Sequence, residues 1–264
     1  MPEWIAHPGL ALLAAHVLVD FVVQTDHDVR DKSRLHPMAF ARHGLQHAFM
    51  AWILVGVPTT WTIPLAVLVV HVAIDIGKET TRRLLRTRRT LGDAADLRLF
   101  TLDQIAHAVS LVAIALWLGN AATTSFWAQS LGTSLWTTVL VFTIGIVLAV
   151  RTGAIVVALT VRRFHSDLDV DAPEDTLGTE PRGLSGGGAM IGALERALVF
   201  FFVLTGMPQG VGFLLAAKSI LRFGDLNARQ QRVETEYVII GTLASFAWSL
   251  LVAWCTREAL RMLG

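Results

Sequence analysis

Cysteine is almost missing from this chain: Cys255 is the only one among 264 residues. That excludes an intrachain disulfide framework and any thiolate-rich metal site. Charge is also scarce, at 16% of residues against 53% hydrophobic, and mean hydropathy is +0.55. This balance argues against one or two soluble domains and for a polytopic membrane protein. The net charge of +1 gives no lead to a partner, and nucleic acid is not expected. A cleavable signal peptide is not expected either, because Glu3 and no basic segment precede an apolar run that already holds His16 and Asp20. The zincin motif His-Glu-x-x-His is missing too, which argues against protease chemistry of that type.

What is present is a set of long apolar runs. A membrane-crossing helix needs about twenty apolar residues, and eight segments are candidates: Trp4–Gln24, Met38–Val57, Trp61–Gly77, Phe100–Leu118, Ser134–Val161, Ala189–Gly206, Pro208–Arg222 and Thr235–Cys255. The seventh is short, contains Lys218 and could be re-entrant. The expected fold is therefore all-α: a helical membrane protein with about eight transmembrane helices. Residues 1–163 form a five-helix bundle, 164–188 an acidic and glycine-rich cytoplasmic linker, and 189–264 a three-helix segment. In the linker, Asp167, Asp169 and Asp171 have the spacing of an opening calcium loop, but the later glycine and glutamate of such a loop are missing.

Basic residues collect in alternate connections. Arg30, Lys32 and Arg34 lie between the first two segments with Arg42 at the start of the second, and Lys78, Arg82, Arg83 and Arg86 lie between the third and fourth. Short cytoplasmic loops retain such charges, so these connections are placed in the cytoplasm and both termini outside. Trp4, Trp61, Trp117, Trp127, Trp136 and Trp254 then fall near the outer interface. The basic loops offer contacts to anionic lipid headgroups or to a cytosolic protein. Arg151, deep in the fifth segment, calls for a buried acidic partner.

Four pairs of potential metal ligands recur at i and i+4: His16 with Asp20, His43 with His47, His71 with Asp75, and Asp103 with His107. Each pair lies on one helix face. With the topology above, all eight fall in one layer toward the cytoplasmic leaflet. A cation would offset the cost of burying three carboxylates, and mixed imidazole and carboxylate ligation suits zinc first, with manganese or iron also fitting. Eight groups exceed one tetrahedral ion, so the layer holds two ions, or one ion with some groups orienting the others. Gln24, one turn past Asp20, could bond a water or a substrate oxygen. At the same depth, Glu195, Arg196, Lys218, Arg222 and Glu236 form either helix-end ion pairs or an anion site.

The combination His16-x-x-x-Asp20-Phe-x-x-Gln24, His71-x-x-x-Asp75, Asp103-Gln-x-x-His107, Gly192-x-x-Glu195-Arg196 and Ala217-Lys218-Ser219 resembles DUF3307, a bacterial family of membrane proteins of unknown function. The His/Asp pairs are more distantly similar to membrane-bound metal-dependent hydrolases. Three functions are consistent with the residues. The first is a metal-dependent hydrolase acting on a lipid or lipid-linked phosphate, with Asp103 or His107 as base and Arg196, Lys218 and Arg222 on the phosphate. The second is a divalent-cation transporter or sensor, which would favour a site nearer the midplane. The third is a non-enzymatic subunit with a structural metal.

Overall fold

A computed structural model describes residues 3–87, 95–118, 125–164, 186–222 and 229–263. Among the described residues every regular element is helical and there is no strand. The chain divides into two compact units, Met1–Val147 with Ala259–Gly264, and Leu148–Glu258.

The first unit begins with α1 (Glu3–Leu18), which passes without a break into a π-helical turn, Val19–Val23. Gln24 leaves that turn in extended conformation, and α2 (Asp26–Ser33) runs off at 95°. The bend is built locally. Thr25 caps α2 through a reciprocal capping box with Asp28, satisfying donors that a helix start otherwise leaves open. Leu35 takes a left-handed φ of 58° after α2, and Pro37 stands at the start of α3 (Pro37–Val55), where its missing N–H costs nothing. Then come α4 (Thr62–Thr87), α5 (Ala95–Leu118), the short α6 (Phe126–Leu131) and α7 (Thr133–Val147).

Helix α1 packs on α3, α5 and α7, while α4 packs on α3 and α5. Small buried residues on α1, among them Ala11, Ala14 and Ala15, leave room for three neighbours. Gly44 does the same for α3 and α4: a Cβ there would come within 2.5 Å of Val72 Cγ2 and 2.8 Å of Leu68 Cδ1. Two of the tryptophans read as interface anchors have structural partners instead. The Trp127 indole donates to the Ile53 carbonyl at 2.6 Å and stacks on Trp136, which is buried. Trp61, Trp117 and Trp254 are exposed.

The second unit opens with another π-helical turn, Leu148–Thr152, followed by α8 (Gly153–Val161), α9 (Gly187–Leu204), α10 (Gln209–Arg222) and most of α11 (Arg229–Leu263). Two carbonyls of the π turn are taken by side chains: Trp248 donates to Leu148 O at 2.8 Å, and the Arg196 Nε to Val150 O at 3.1 Å. Arg151 itself is exposed, so the expected buried acid is not what accommodates it. The buried arginine of this unit is Arg196, and its partners are a carbonyl and the Ser245 hydroxyl.

Four helical stretches are long and apolar enough to cross a membrane: Ala95–Leu118, Thr133–Val161, Gly187–Leu204 and Thr235–Leu263. The bent pair formed by Pro8–Val23 and α2 would make a fifth. Helices α3 and α4 are not among them: α3 carries Arg42, His43, Gln46 and His47, and α4 carries Asp75, Lys78 and Glu79. Helix α10, with 14 residues, is about 21 Å long, less than a bilayer core. The acidic linker, including Asp167, Asp169 and Asp171, lies outside the described residues apart from its ends.

Candidate metal centre

The i,i+4 spacing places each ligand pair on one helix face, and the packing of α1, α3, α4 and α5 turns the four faces toward one another. All eight predicted ligands lie in the first unit, and seven of them are buried outright, with the Asp20 side chain 12% exposed. Asp20 sits in the π turn, a distortion often found at functional sites.

The tightest convergence is on Asp20. Its Oδ1 lies 3.0 Å from His43 Nε2 and 2.9 Å from His47 Nε2, and the two nitrogens are 3.1 Å apart. His71 Nε2 is 3.9 Å from the same oxygen and has no hydrogen-bond partner. These four groups can each offer a ligand atom within 4.8 Å of the others. A triangle with such edges leaves a point above its plane about 2.0–2.1 Å from each corner, the length of a zinc–nitrogen or zinc–oxygen bond. Hydrogen bonding alone fits less well. Two N–H groups aimed at one oxygen would set their donor nitrogens only 3.1 Å apart, whereas two imidazole lone pairs and a carboxylate oxygen around a cation make ordinary coordination.

A second group shares His71 and adds Asp75 and His107. Here the tautomer is set by the helix. His107 Nδ1 lies 2.9 Å from the carbonyl of Asp103, which can only accept, so Nδ1 carries the proton and Nε2 a lone pair. That Nε2 is buried without a partner. His107 lines, with His16, His47 and His71, a cavity of about 10 Å³. The volume is that of one water molecule.

Two residues that motif reading passed over as mere loop charges close the layer below. Lys32 Nζ donates to Asp75 Oδ2 and Lys78 Nζ to Asp103 Oδ2, each at 2.8 Å. Lys32 reaches the site because α2 folds back beneath it, a placement no sequence spacing encodes. Gln104 was also missed. Its Nε2 donates to Asp103 Oδ2 at 3.2 Å and to Asp20 Oδ2 at 3.5 Å. Both oxygens only accept, so the amide orientation is settled and Oε1 must face His16 Nε2, 3.3 Å away. His16 therefore carries a proton on Nε2, which leaves it supporting the layer, stacked on His107 with ring centres 4.8 Å apart.

Outside the layer, Asp28 ties α2 to α3 through Arg42. Burial pushes its carboxyl up, but bonds from the Thr25 hydroxyl and backbone N–H and the Arg42 guanidinium outweigh this and hold it down to about 2. Gln24 caps the π turn and makes no hydrogen bond to the layer; its Nε2 is buried without a partner.

Of the expected group in the last third, Lys218 and Glu195 meet as the helix-end ion pair that is one of its two readings. Arg196 is used inside the second unit as described, Lys218 Nζ pairs with Glu195 at 2.7 Å, and Glu236 is exposed. The side chain of Arg222 lies outside the described residues.

Residues 10–135, which include every ligand of the layer, match the family described as "Protein of unknown function (DUF3307)". No curated protein and no solved structure matches the chain. The likeness to membrane-bound hydrolases thus has no curated counterpart.

Proposed function

We propose, taking residues 10–135 as belonging to the DUF3307 family, that the chain is a membrane-embedded metal-dependent hydrolase acting on a lipid or lipid-linked phosphate at the cytoplasmic leaflet. The observation that carries the reading is the convergence of Asp20, His43, His47 and His71, whose ligand atoms approach to within 2.9 Å at their closest. Such groups are costly inside apolar helices unless they are paired or functional. The donor set suits zinc, with manganese and iron as alternatives.

A bound ion would supply Lewis-acid chemistry, activating a water and polarising a phosphoryl oxygen. The chain's own groups do the rest. The free Nε2 of His107, a residue that lines the cavity of one-water size, can take the proton of a water held there, while Asp103 holds the imidazole through its carbonyl. Asp20 and His16 are kept in place by Gln104. Burial of the layer excludes bulk water and strengthens each interaction in it.

The membrane setting is part of the proposal. Four helical stretches apolar enough to span support it, and the basic connections support cytoplasmic placement of α2 and of the end of α4. About eight membrane segments with the N-terminus outside complete the topology, the seventh, α10, being short for a full crossing. The two ammonium groups beneath the ligands weigh against passage of a cation through the site.

The test is elemental analysis of the detergent-purified chain and of His47→Ala, followed by release of phosphate from lipid phosphomonoesters with and without added metal. Stoichiometric metal in the intact protein, lost in the variant together with turnover, is expected. An intact protein that binds no metal under any condition would end the reading.

A further inference from the structure

We infer that the layer takes a single divalent ion, and that the ion in turn creates a site for one phosphate-type anion held by Lys32 and Lys78. This rests on the metal-centre reading above. It adds the stoichiometry, the order of binding and the residues that meet the anion.

The argument is one of charge in a low-dielectric setting. With imidazoles neutral, as ligands must be, three carboxylates (Asp20, Asp75, Asp103) face two ammonium groups (Lys32, Lys78). The neighbouring charges cancel in pairs, Glu79 with Arg82 and Asp28 with Arg42. The metal-free layer thus has an excess of one negative charge, which attracts a cation. One divalent ion reverses this to one positive charge. A second ion would leave three, with no further carboxylate among the described groups of the layer to meet it, and buried net charge of that size is strongly disfavoured. One positive charge is instead neutralised by an anion.

Geometry gives that anion its place. The cavity beside His107 holds about 10 Å³, too little for a phosphate group, so the anion belongs on the lysine side of the layer. Each ammonium has three N–H donors and spends one on its aspartate, leaving donors for a second oxygen. The Lys78 side chain is 21% exposed and that of Lys32 9%, so an anion would reach the pair from the Lys78 end. Independent of the acidic groups, two buried nitrogens without partners, His71 Nε2 and His107 Nε2, mark the layer as built around something that binds. A lipid phosphomonoester and inorganic phosphate share the required chemistry.

The experiment uses the full chain in detergent with Co²⁺ as probe, because its visible spectrum reports both stoichiometry and changes in the ligand field. Saturation at one equivalent is expected, followed by a spectral shift on adding inorganic phosphate in one arm and phosphatidic acid in the other. A response in either arm supports the site and identifies the source. Lys32→Met with Lys78→Met should still bind Co²⁺, its stoichiometry being no part of the test because two cationic groups are gone, but weaken the anion at least tenfold. Should that variant not fold, Lys32→Met with Asp75→Asn keeps the charge count and should weaken the anion severalfold. Saturation at two equivalents, equal anion binding without metal, or unchanged anion affinity in the lysine variants would each overturn the inference. One equivalent of Co²⁺ with no anion response would overturn it while leaving the metal centre intact. No Co²⁺ binding would remove both readings.

Discussion

Replacing Gly44 by alanine should damage both the stability of the first unit and its metal affinity. Gly44 lies between His43 and His47 on the face where α3 meets α4. The new Cβ would stand 2.5 Å from Val72 Cγ2 and 2.8 Å from Leu68 Cδ1. Carbon atoms rest at about 3.5–4.0 Å, so roughly 1 Å of separation must be found. Leu68 can swing its terminal methyl away. Val72 cannot, because a β-branched side chain in a helix is held in essentially one rotamer. The helices therefore separate, at a cost of about 1–3 kcal/mol. The same movement draws His43 and His47 away from His71, and metal sites tolerate only about 0.2 Å in their bond lengths. Loss of one ligand should lower Co²⁺ affinity on the order of 10–100-fold. Gly77→Ala is the control, since it lies in α4 close to Asp75 with nothing within 4 Å of the added methyl. Thermal unfolding and Co²⁺ titration of both variants in one detergent decide the matter. If Gly44→Ala matches Gly77→Ala in both measurements, the close approach of α3 and α4 does not govern the site and the reasoning is wrong.

Gln104→Glu keeps the shape of the side chain but sets a carboxylate against Asp20 and Asp103; the metal-free protein should lose several kcal/mol, seen as a lower Tm that added Co²⁺ partly restores. Arg196→Met should cost roughly 1–3 kcal/mol by leaving the Val150 carbonyl buried without a donor, measurable as a lower Tm with an unchanged Co²⁺ titration. The Asp28 carboxyl titrates near 3.8 when unfolded and at about 2 when folded, so its contribution of up to about 2 kcal/mol is complete above pH 4 and is lost as pH falls toward 2. Comparing Tm against pH for the parent and Asp28→Asn should show the two curves converging over that window.

Much of this protein is legible in the order of its residues. Apolar content and runs long enough to cross a membrane as helices pointed to an all-helical chain, and the described residues form one. The i,i+4 pairs named the eight side chains that share the layer, because spacing along a helix is a local property that the chain itself carries. Tertiary structure decided which of those groups meet. Asp20 is set among His43, His47 and His71 by a π turn and by the space Gly44 leaves, neither of which has a spacing signature. Lys32, read from sequence as a topology signal, arrives at Asp75 only because α2 turns back at 95°. Arg151 and Arg196 show the same division in reverse. Hydropathy marked Arg151 as the costly charge, yet side-chain direction depends on the neighbours a helix finds, and it is Arg196 that packing buries against a π-turn carbonyl. Residue identity thus determined which chemistry is available, and long-range packing determined which of those groups share a site.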